Sequence, residues 1–143
     1  MKLKLKGFSL IELLVSITIV SLLMAAAFAV LRPQDYFARA RNSRRISDLK
    51  VIQTAMEQFY ANNNAYPTTA SVPLTGTVWT SGSVTYLRTV PKDPGNGGNY
   101  CYATTSTGYE ACANFENLSA PPTGFVAPDA SCAGVTACAT NPF

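Results

Sequence analysis

The sequence predicts an α+β chain, in which a long, kinked amino-terminal helix packs on a small antiparallel β-sheet head with a disulfide-closed carboxy-terminal loop. Three observations indicate this fold class. Residues 8–31 form an apolar run, an apolar face then continues at helical spacing to Tyr60, and from Tyr66 the composition shifts to Thr, Ser, Gly, Pro and Asn. The expected divisions are residues 1–7 as a leader, 8–31 as a membrane-length helix, 32–64 as its amphipathic second half and 65–143 as an extracellular head.

The apolar run is long enough to cross a membrane. As a helix, residues 8–31 would span roughly 36 Å, compared with about 30 Å for the hydrocarbon core of a bilayer. A cleaved secretory signal is the alternative, but its apolar region usually has about 7–15 residues and ends in small residues. The alanines at 25–27 fit that alternative, whereas the apolar run continues beyond them through Phe28 and Val30.

A basic leader precedes the run, and one acid lies inside it. The leader carries Lys2, Lys4 and Lys6, and the acid is Glu12. An acid near the centre of a membrane helix costs about 2.5–3.5 kcal/mol, so such a residue normally has a partner. Alternatively, Glu12 lies near enough to the edge of the bilayer to reach lipid headgroups. Its position alone leaves both interpretations open.

The string KGFSLIEL, from Lys6 to Leu13, resembles the processing site of type IV prepilins and type II secretion pseudopilins. The resemblance implies that a prepilin peptidase cuts between Gly7 and Phe8 and methylates the new amino terminus of Phe8. It also implies that Glu12 directs assembly. A positive amine on Phe8 of an incoming copy would be attracted to Glu12 of a neighbour in a low-dielectric setting.

The same resemblance implies partners and a location. The partners are further copies of the chain, the prepilin peptidase, an inner-membrane assembly platform and, before assembly, membrane lipid. The chain would begin as a single-pass cell membrane protein and end in an extracellular filament at the cell surface. The expected role is that of a structural subunit of a type IV pilus-like filament. Two alternatives are a pseudopilin of a type II secretion or competence system and a monomeric membrane-anchored extracellular binding domain.

Composition argues against catalysis and against nucleic-acid binding. The chain has no His, which excludes Ser-His-Asp and Cys-His nucleophiles and the usual zinc sites, so no enzymatic activity is expected. Its formal charge is +3. Because the three leader lysines account for that excess, no specific nucleic-acid partner is predicted. The remaining charge is −1 over residues 8–31, +3 over 32–65 and −2 over 66–143. This distribution favours stacking of the stalk of one copy against the head of another, unless those charges form an ordinary solvated face.

Pro33 is expected to kink or locally melt the long helix, because proline removes a helical hydrogen bond and clashes with the preceding turn. The helical pattern then resumes and ends near Asn62–Asn64. Its apolar face should pack on the head. The face consists of Ile46, Leu49, Ile52, Met56, Phe59 and Tyr60.

The head is expected to contain short strands held by disulfides. The strand candidates are Thr85–Val90, Asn99–Thr104 and Tyr109–Phe115. If residues 105–108 form the loop, antiparallel pairing places Cys101 opposite Cys112 and predicts a bond between them. Cys132 and Cys138 would then close a loop in the tail, which is otherwise expected to be irregular. The alternative, a four-thiolate zinc site, is disfavoured because the spacing between Cys101 and Cys112 is too long for a close ligand pair.

Residues 60–102 give a second resemblance, to the head of major pseudopilins and related pilins. It rests on YANNNAYPTT and on the turn sequence YLRTVPKDPGNGGNYCY. Major pseudopilins bind calcium in their carboxy-terminal loop, which implies calcium as a possible ligand. The tail here has Asp129 as its only acid, and calcium needs about 6–8 oxygen ligands. We therefore expect no cofactor or metal.

Overall fold

The computed structural model describes residues 7–31, 33–73, 75–104, 108–128 and 130–140. It divides into two compact units, one up to Tyr36 and one from Phe37 onward. The helices and strands are α1 (Leu10–Leu31), α2 (Pro33–Asn63), β1 (Trp79–Ser81), β2 (Val84–Leu87), β3 (Cys101–Thr104), β4 (Tyr109–Ala113) and β5 (Ala137–Thr140). The predicted α+β fold class is confirmed.

Helix α1 is apolar on every face. Its segment Leu10–Val30 has a mean hydropathy of 2.6 and is long and apolar enough to cross a membrane, and none of it is buried within the described structure. A helix that is apolar all round needs an apolar environment, either lipid or other protein. The few hydroxyl groups are satisfied inside the helix, since Ser16, Thr18 and Ser21 each donate to a carbonyl of the preceding turn at 2.7 Å.

Helix α2 buries one stripe against the head. The stripe consists of Ala38, Asn42, Arg45, Leu49, Ile52, Ala55 and Met56. The predicted apolar face is confirmed for Leu49, Ile52 and Met56, while Tyr60 stays 43% exposed. The helix ends where the sequence predicts, because Asn64 turns into the left-handed region (φ 52°) and its N–H donates to the Tyr60 carbonyl.

The head contains a three-stranded antiparallel sheet in the order β3-β4-β5 and a separate β1-β2 ribbon. The predicted pairing of Cys101 opposite Cys112 is confirmed. Strand β4 is central and buried along its whole length. Its Tyr109, Ala111 and Ala113 face the core formed with Leu49, Met56 and Trp79. The sheet therefore rests on α2 by one face.

Two strands were not predicted. Strand β1 begins at Trp79, and β5 lies in the tail that was expected to be irregular. That expectation is wrong for Ala137–Thr140, whose sequence ACAT shows no alternation of apolar and polar residues. The pattern is missing because Ala137, Cys138 and Ala139 are all buried.

The predicted disulfide pairing is wrong, although all four cysteines are oxidised as expected. The bonds join Cys101 to Cys132 and Cys112 to Cys138. The unpredicted strand β5 explains the difference. It lies on the other side of β4 from β3 and places Cys138 opposite Cys112, with the two Cα atoms 4.0 Å apart. Both bonds therefore attach the tail to the sheet.

Candidate functional site

The first candidate site is the start of α1. Gly7, Phe8 and Ser9 are not helical and are exposed, and the first helical bond runs from the Leu13 N–H to the Ser9 carbonyl at 3.1 Å. A side chain at Gly7 would meet nothing within 4 Å. The peptide bond between Gly7 and Phe8 is therefore open to the surroundings, and breaking it disrupts no helical hydrogen bond.

Glu12 lies in the first turn of α1 and is exposed. A negative charge at this end of a helix is stabilised by the unpaired backbone N–H groups of the first turn. Within the described part of the chain, no cation lies within 4.0 Å of its carboxylate. The predicted site residues Gly7, Phe8 and Glu12 thus occupy one short segment, and the carboxylate remains available to a partner.

Pro33 is the first residue of α2, and α1 ends at Leu31. Proline is well suited to the first position of a helix, because the N–H that it lacks has no partner there. The predicted kink at Pro33 stays a prediction.

The second candidate site is a polar cluster between α2 and the head, which we call the arginine clamp: Arg41, Asn42, Arg45, Asp93 and Glu116. Its centre is Arg45, whose side chain is only 4% exposed. The Arg45 Nε and Nη2 atoms donate to the two Asp93 carboxylate oxygens at 2.6 and 2.9 Å. Its Nη1 donates to Glu116 Oε1 at 2.8 Å and to Asn42 Oδ1 at 2.9 Å. The guanidinium is thus held by planar, charge-assisted bonds.

The clamp also holds the segment after β4. Arg41 binds Glu116 through two nitrogens, with Nε 2.8 Å from Oε1. The Asn42 amide accepts from the Glu116 N–H at 3.0 Å and donates to the Glu116 carbonyl at 2.8 Å. Arg41 and Asn42 of α2 therefore bind the side chain and the backbone of Glu116, which lies more than seventy positions further along the chain.

The turn at residues 93–98, with the sequence DPGNGG, closes around the clamp. Asp93 Oδ1 accepts from the Gly95 N–H at 2.7 Å, and the Asp93 backbone bonds to Gly97 and Gly98. A Cβ on Gly95 would lie 2.8 Å from Arg45 Nη2 and 3.0 Å from Asp93 Oδ1. A side chain at position 95 would therefore displace the Arg45 guanidinium or the Asp93 carboxylate, because the ion pair fills that space.

The ion pairs shift the titration of both acids. Hydrogen bonds from Arg41 are the main cause that lowers the pKa of Glu116 to about 2. Hydrogen bonds from Arg45 are the main cause that lowers the pKa of Asp93, although burial opposes the shift. Both acids thus stay ionised well below neutral pH.

The clamp was missed by the sequence analysis, which counted Arg41 and Arg45 as part of the stalk charge and Asp93 and Glu116 as part of the head charge. The turn sequence PKDPGNGG marked the location of Asp93 but not its partner. The predicted attraction between stalk and head therefore operates within one chain for these four residues. They are not free to bind a neighbouring copy.

The cysteines offer no thiolate for a metal. Among the described residues, Glu110 clusters with Cys112 and Cys138, but those two sulfurs are bonded to each other. The zinc alternative needs four thiolates, and all four cysteines are in disulfides. Asp129, the acid of the calcium argument, lies outside the described residues.

Comparisons with known proteins give one family match and several partial matches to curated proteins. Residues 3–28 match the family described as the prokaryotic N-terminal methylation motif. A fimbrial protein of Pseudomonas aeruginosa is 42% identical over 52 residues, which cover 36% of this chain and 32% of that protein. A type IV major pilin protein of Neisseria gonorrhoeae is 40% identical over 62 residues, which cover 43% of this chain and 36% of that protein.

Part of the chain is similar to fimbrial and type IV pilin proteins, and residues 3–28 carry the prokaryotic N-terminal methylation motif. A fimbrial protein of Neisseria meningitidis serogroup B is likewise 40% identical over 62 residues, which cover 43% of this chain and 35% of that protein. The chain spans about a third of the length of the curated relatives it matches. No solved structure matches it. The methylation-motif match at residues 3–28 covers the segment before α1 and most of α1.

Proposed function

We propose that the chain is a structural subunit of a type IV pilus-like filament, made as a membrane-anchored precursor and assembled through α1. The observation that carries this proposal is the coincidence of the methylation-motif match at residues 3–28 with a helix that is apolar on every face and unburied. Such a helix needs lipid before assembly and other copies of itself afterwards. The role is structural rather than catalytic.

Processing takes place at the bond between Gly7 and Phe8. The bond precedes α1 and is exposed, so a peptidase at the membrane surface reaches it without unfolding the helix. Cleavage removes the three leader lysines and creates a positive amine on Phe8, which is then methylated. The partner in this step is a prepilin peptidase.

Assembly uses the new amine on Phe8 and the carboxylate of Glu12. Each charge is costly alone in an apolar setting, and the two attract strongly there. Glu12 has no partner among the described residues of its own chain and is exposed. The amine of an incoming copy neutralises it, which sets the axial position of that copy. An inner-membrane assembly platform and membrane lipid complete the set of partners, and the product is a filament at the cell surface.

The experiment replaces Glu12 by glutamine, which keeps the shape of the side chain and removes the charge. Asp35→Asn is the matched control, because Asp35 is also an exposed acid near the start of a helix. We expect Glu12→Gln to insert in the membrane at the wild-type level and to yield no sheared filament, and Asp35→Asn to yield filaments as the wild type does. Wild-type filament yield from Glu12→Gln would contradict the proposal and favour a fixed membrane-anchored domain.

A further inference from the structure

Three of the four cysteines lie in one row across the sheet. Strand pairing places Cys101 of β3 opposite Cys112 of β4, and Cys112 opposite Cys138 of β5. Residues opposite each other in antiparallel strands point to the same face of the sheet, with Cα atoms about 4.5–5.5 Å apart. Cys112 therefore has a cysteine neighbour on each side, and it is bonded to only one of them.

The fourth cysteine lies in a turn that covers this row. Cys132 ends a short 3-10 helix at Ala130–Cys132 and is bonded to Cys101. The row and this turn form a small second core on the side of the sheet away from α2, in which Cys112, Cys132 and Cys138 are 0–1% exposed. The native bonds thus become enclosed once the tail has packed on the sheet.

Chain length favours a different pair of bonds before the tail has packed. The native bonds join residues 31 and 26 positions apart. The alternative pairs are closer, since 112 − 101 = 11 and 138 − 132 = 6. Loop-closure probability falls with about the 3/2 power of length, so the alternative bonds close roughly 5-fold and 9-fold more readily. The bond between Cys101 and Cys112 also agrees with the native register of β3 and β4.

We propose that the cysteine row is a thiol–disulfide exchange site, at which a first-formed isomer with bonds Cys101–Cys112 and Cys132–Cys138 is converted to the native bonds by an external thiolate. A disulfide oxidant forms the first two bonds, and each bond reduces one oxidant disulfide to two thiols. Conversion then needs no further oxidant. The partner is a small or protein thiolate that acts as a catalyst.

The conversion takes three exchanges that balance. The external thiolate attacks the Cys132 sulfur, forms a mixed disulfide there and releases the Cys138 thiolate. When β5 pairs with β4, the Cys138 thiolate attacks the Cys112 sulfur, which forms the Cys112–Cys138 bond and releases the Cys101 thiolate. The Cys101 thiolate then attacks the Cys132 sulfur, forms the Cys101–Cys132 bond and releases the external thiolate. Packing of the tail on the sheet drives the sequence forward.

Oxidation of the reduced full chain in detergent tests this order. Samples are quenched with acid and alkylating agent at successive times and digested with chymotrypsin, which cuts after Tyr109, Phe115 and Phe125. The first-formed isomer then gives a two-peptide species, in which the Cys101 peptide is linked to the Cys112 peptide. The tail peptide with Cys132 and Cys138 is separate and internally bonded. The native bonds link all three peptides, and fragmentation between Cys132 and Cys138 distinguishes them from the third possible pairing.

In a glutathione buffer we expect the two-peptide species first and its replacement by the native three-peptide species. With diamide, an oxidant that leaves no free thiol, we expect the two-peptide species to persist. Native linkage at the earliest times, with no two-peptide species under either condition, would overturn the proposal.

Two variants that each remove the Cys101–Cys132 bond test whether exchange takes place within the cysteine row. In Cys132→Ser, Cys101 and Cys138 compete for Cys112, and we expect the free thiol to be divided between them. In Cys101→Ser, the free thiol lies outside the row and should stay on Cys132. A thiol confined to Cys101 in the first variant, or equal scrambling in both, would contradict exchange through the row. Fluorescence of Trp79, which is 2% exposed, checks that each head is folded.

Discussion

At the scale of single residues, Arg45 joins α2 to the head by burying a guanidinium between two acids. Replacement by methionine keeps an unbranched apolar stem but leaves Asp93 buried without its cation. Breaking a buried pair in this way costs about 3–5 kcal/mol, so we expect Arg45→Met to lower the unfolding free energy by about that amount. The measurement is denaturant unfolding of the full chain in detergent, followed by Trp79 fluorescence.

The matched control for this prediction is Arg44→Met. Arg44 is the neighbour of Arg45, its side chain is 71% exposed and its Nε lies 3.9 Å from Asp48. Exposed pairs of this kind contribute about 0–1 kcal/mol, so the control should lose no more than that. Equal losses in the two variants would show that the clamp does not stabilise the head.

The clamp also predicts how stability depends on pH. The folded pKa values of Glu116 and Asp93 lie below their ordinary values, so the folded chain binds these protons less tightly than the unfolded chain. The stabilisation by Glu116 is therefore complete above about pH 4.5 and is lost as the pH falls towards about 2, and that by Asp93 is also lost as the pH falls. Unfolding measured across this range should show the loss, and Glu116→Gln should have a flatter profile. If Glu116→Gln loses as much stability at low pH as the wild type does, titratable groups other than Glu116 cause the loss.

At the scale of elements, α2 and the sheet share the main apolar core of the head. Leu49 is fully buried in it, whereas Val51 on the same helix is 44% exposed. We expect Leu49→Ala to lower the unfolding free energy by about 2–5 kcal/mol, because it removes apolar contacts and leaves a cavity. Val51→Ala should change it by less than about 1 kcal/mol. Thermal unfolding of both variants measures the difference, and similar midpoints would contradict the packing described.

The elements differ in how far the sequence predicts them. The apolar face of α2 and the register of β3 and β4 were predicted, because each depends on spacing within a short segment. Strand β5, the disulfide pairing and the arginine clamp were not. They depend on contacts between residues 24 to 75 positions apart, as in Ala113–Ala137 and Arg41–Glu116. In β5 the local pattern is also absent, since its small residues are buried on both faces.

At the scale of the whole molecule, the amino-terminal segment and the head carry separate information. The processing bond, Glu12 and α1 are predicted from the sequence because they form one contiguous motif, and residues 3–28 match the methylation-motif family. The ion pairs of the head could not be predicted from the sequence, because net charge does not show which charges are paired within the chain. With Arg41 and Arg45 bound to Asp93 and Glu116, the apolar helix α1 and Glu12 become the main basis of the proposed assembly.

The central claim is that the chain is cut after Gly7 and assembled through the helix that follows. The most direct measurement is amino-terminal peptide mapping, with intact mass, of protein sheared from the cell surface without reduction. The account predicts a chain that begins at N-methylated Phe8 and is lighter than the reduced form by four hydrogens, for two disulfides. A chain that is absent from the sheared fraction and begins at Met1 in the membrane fraction would contradict it.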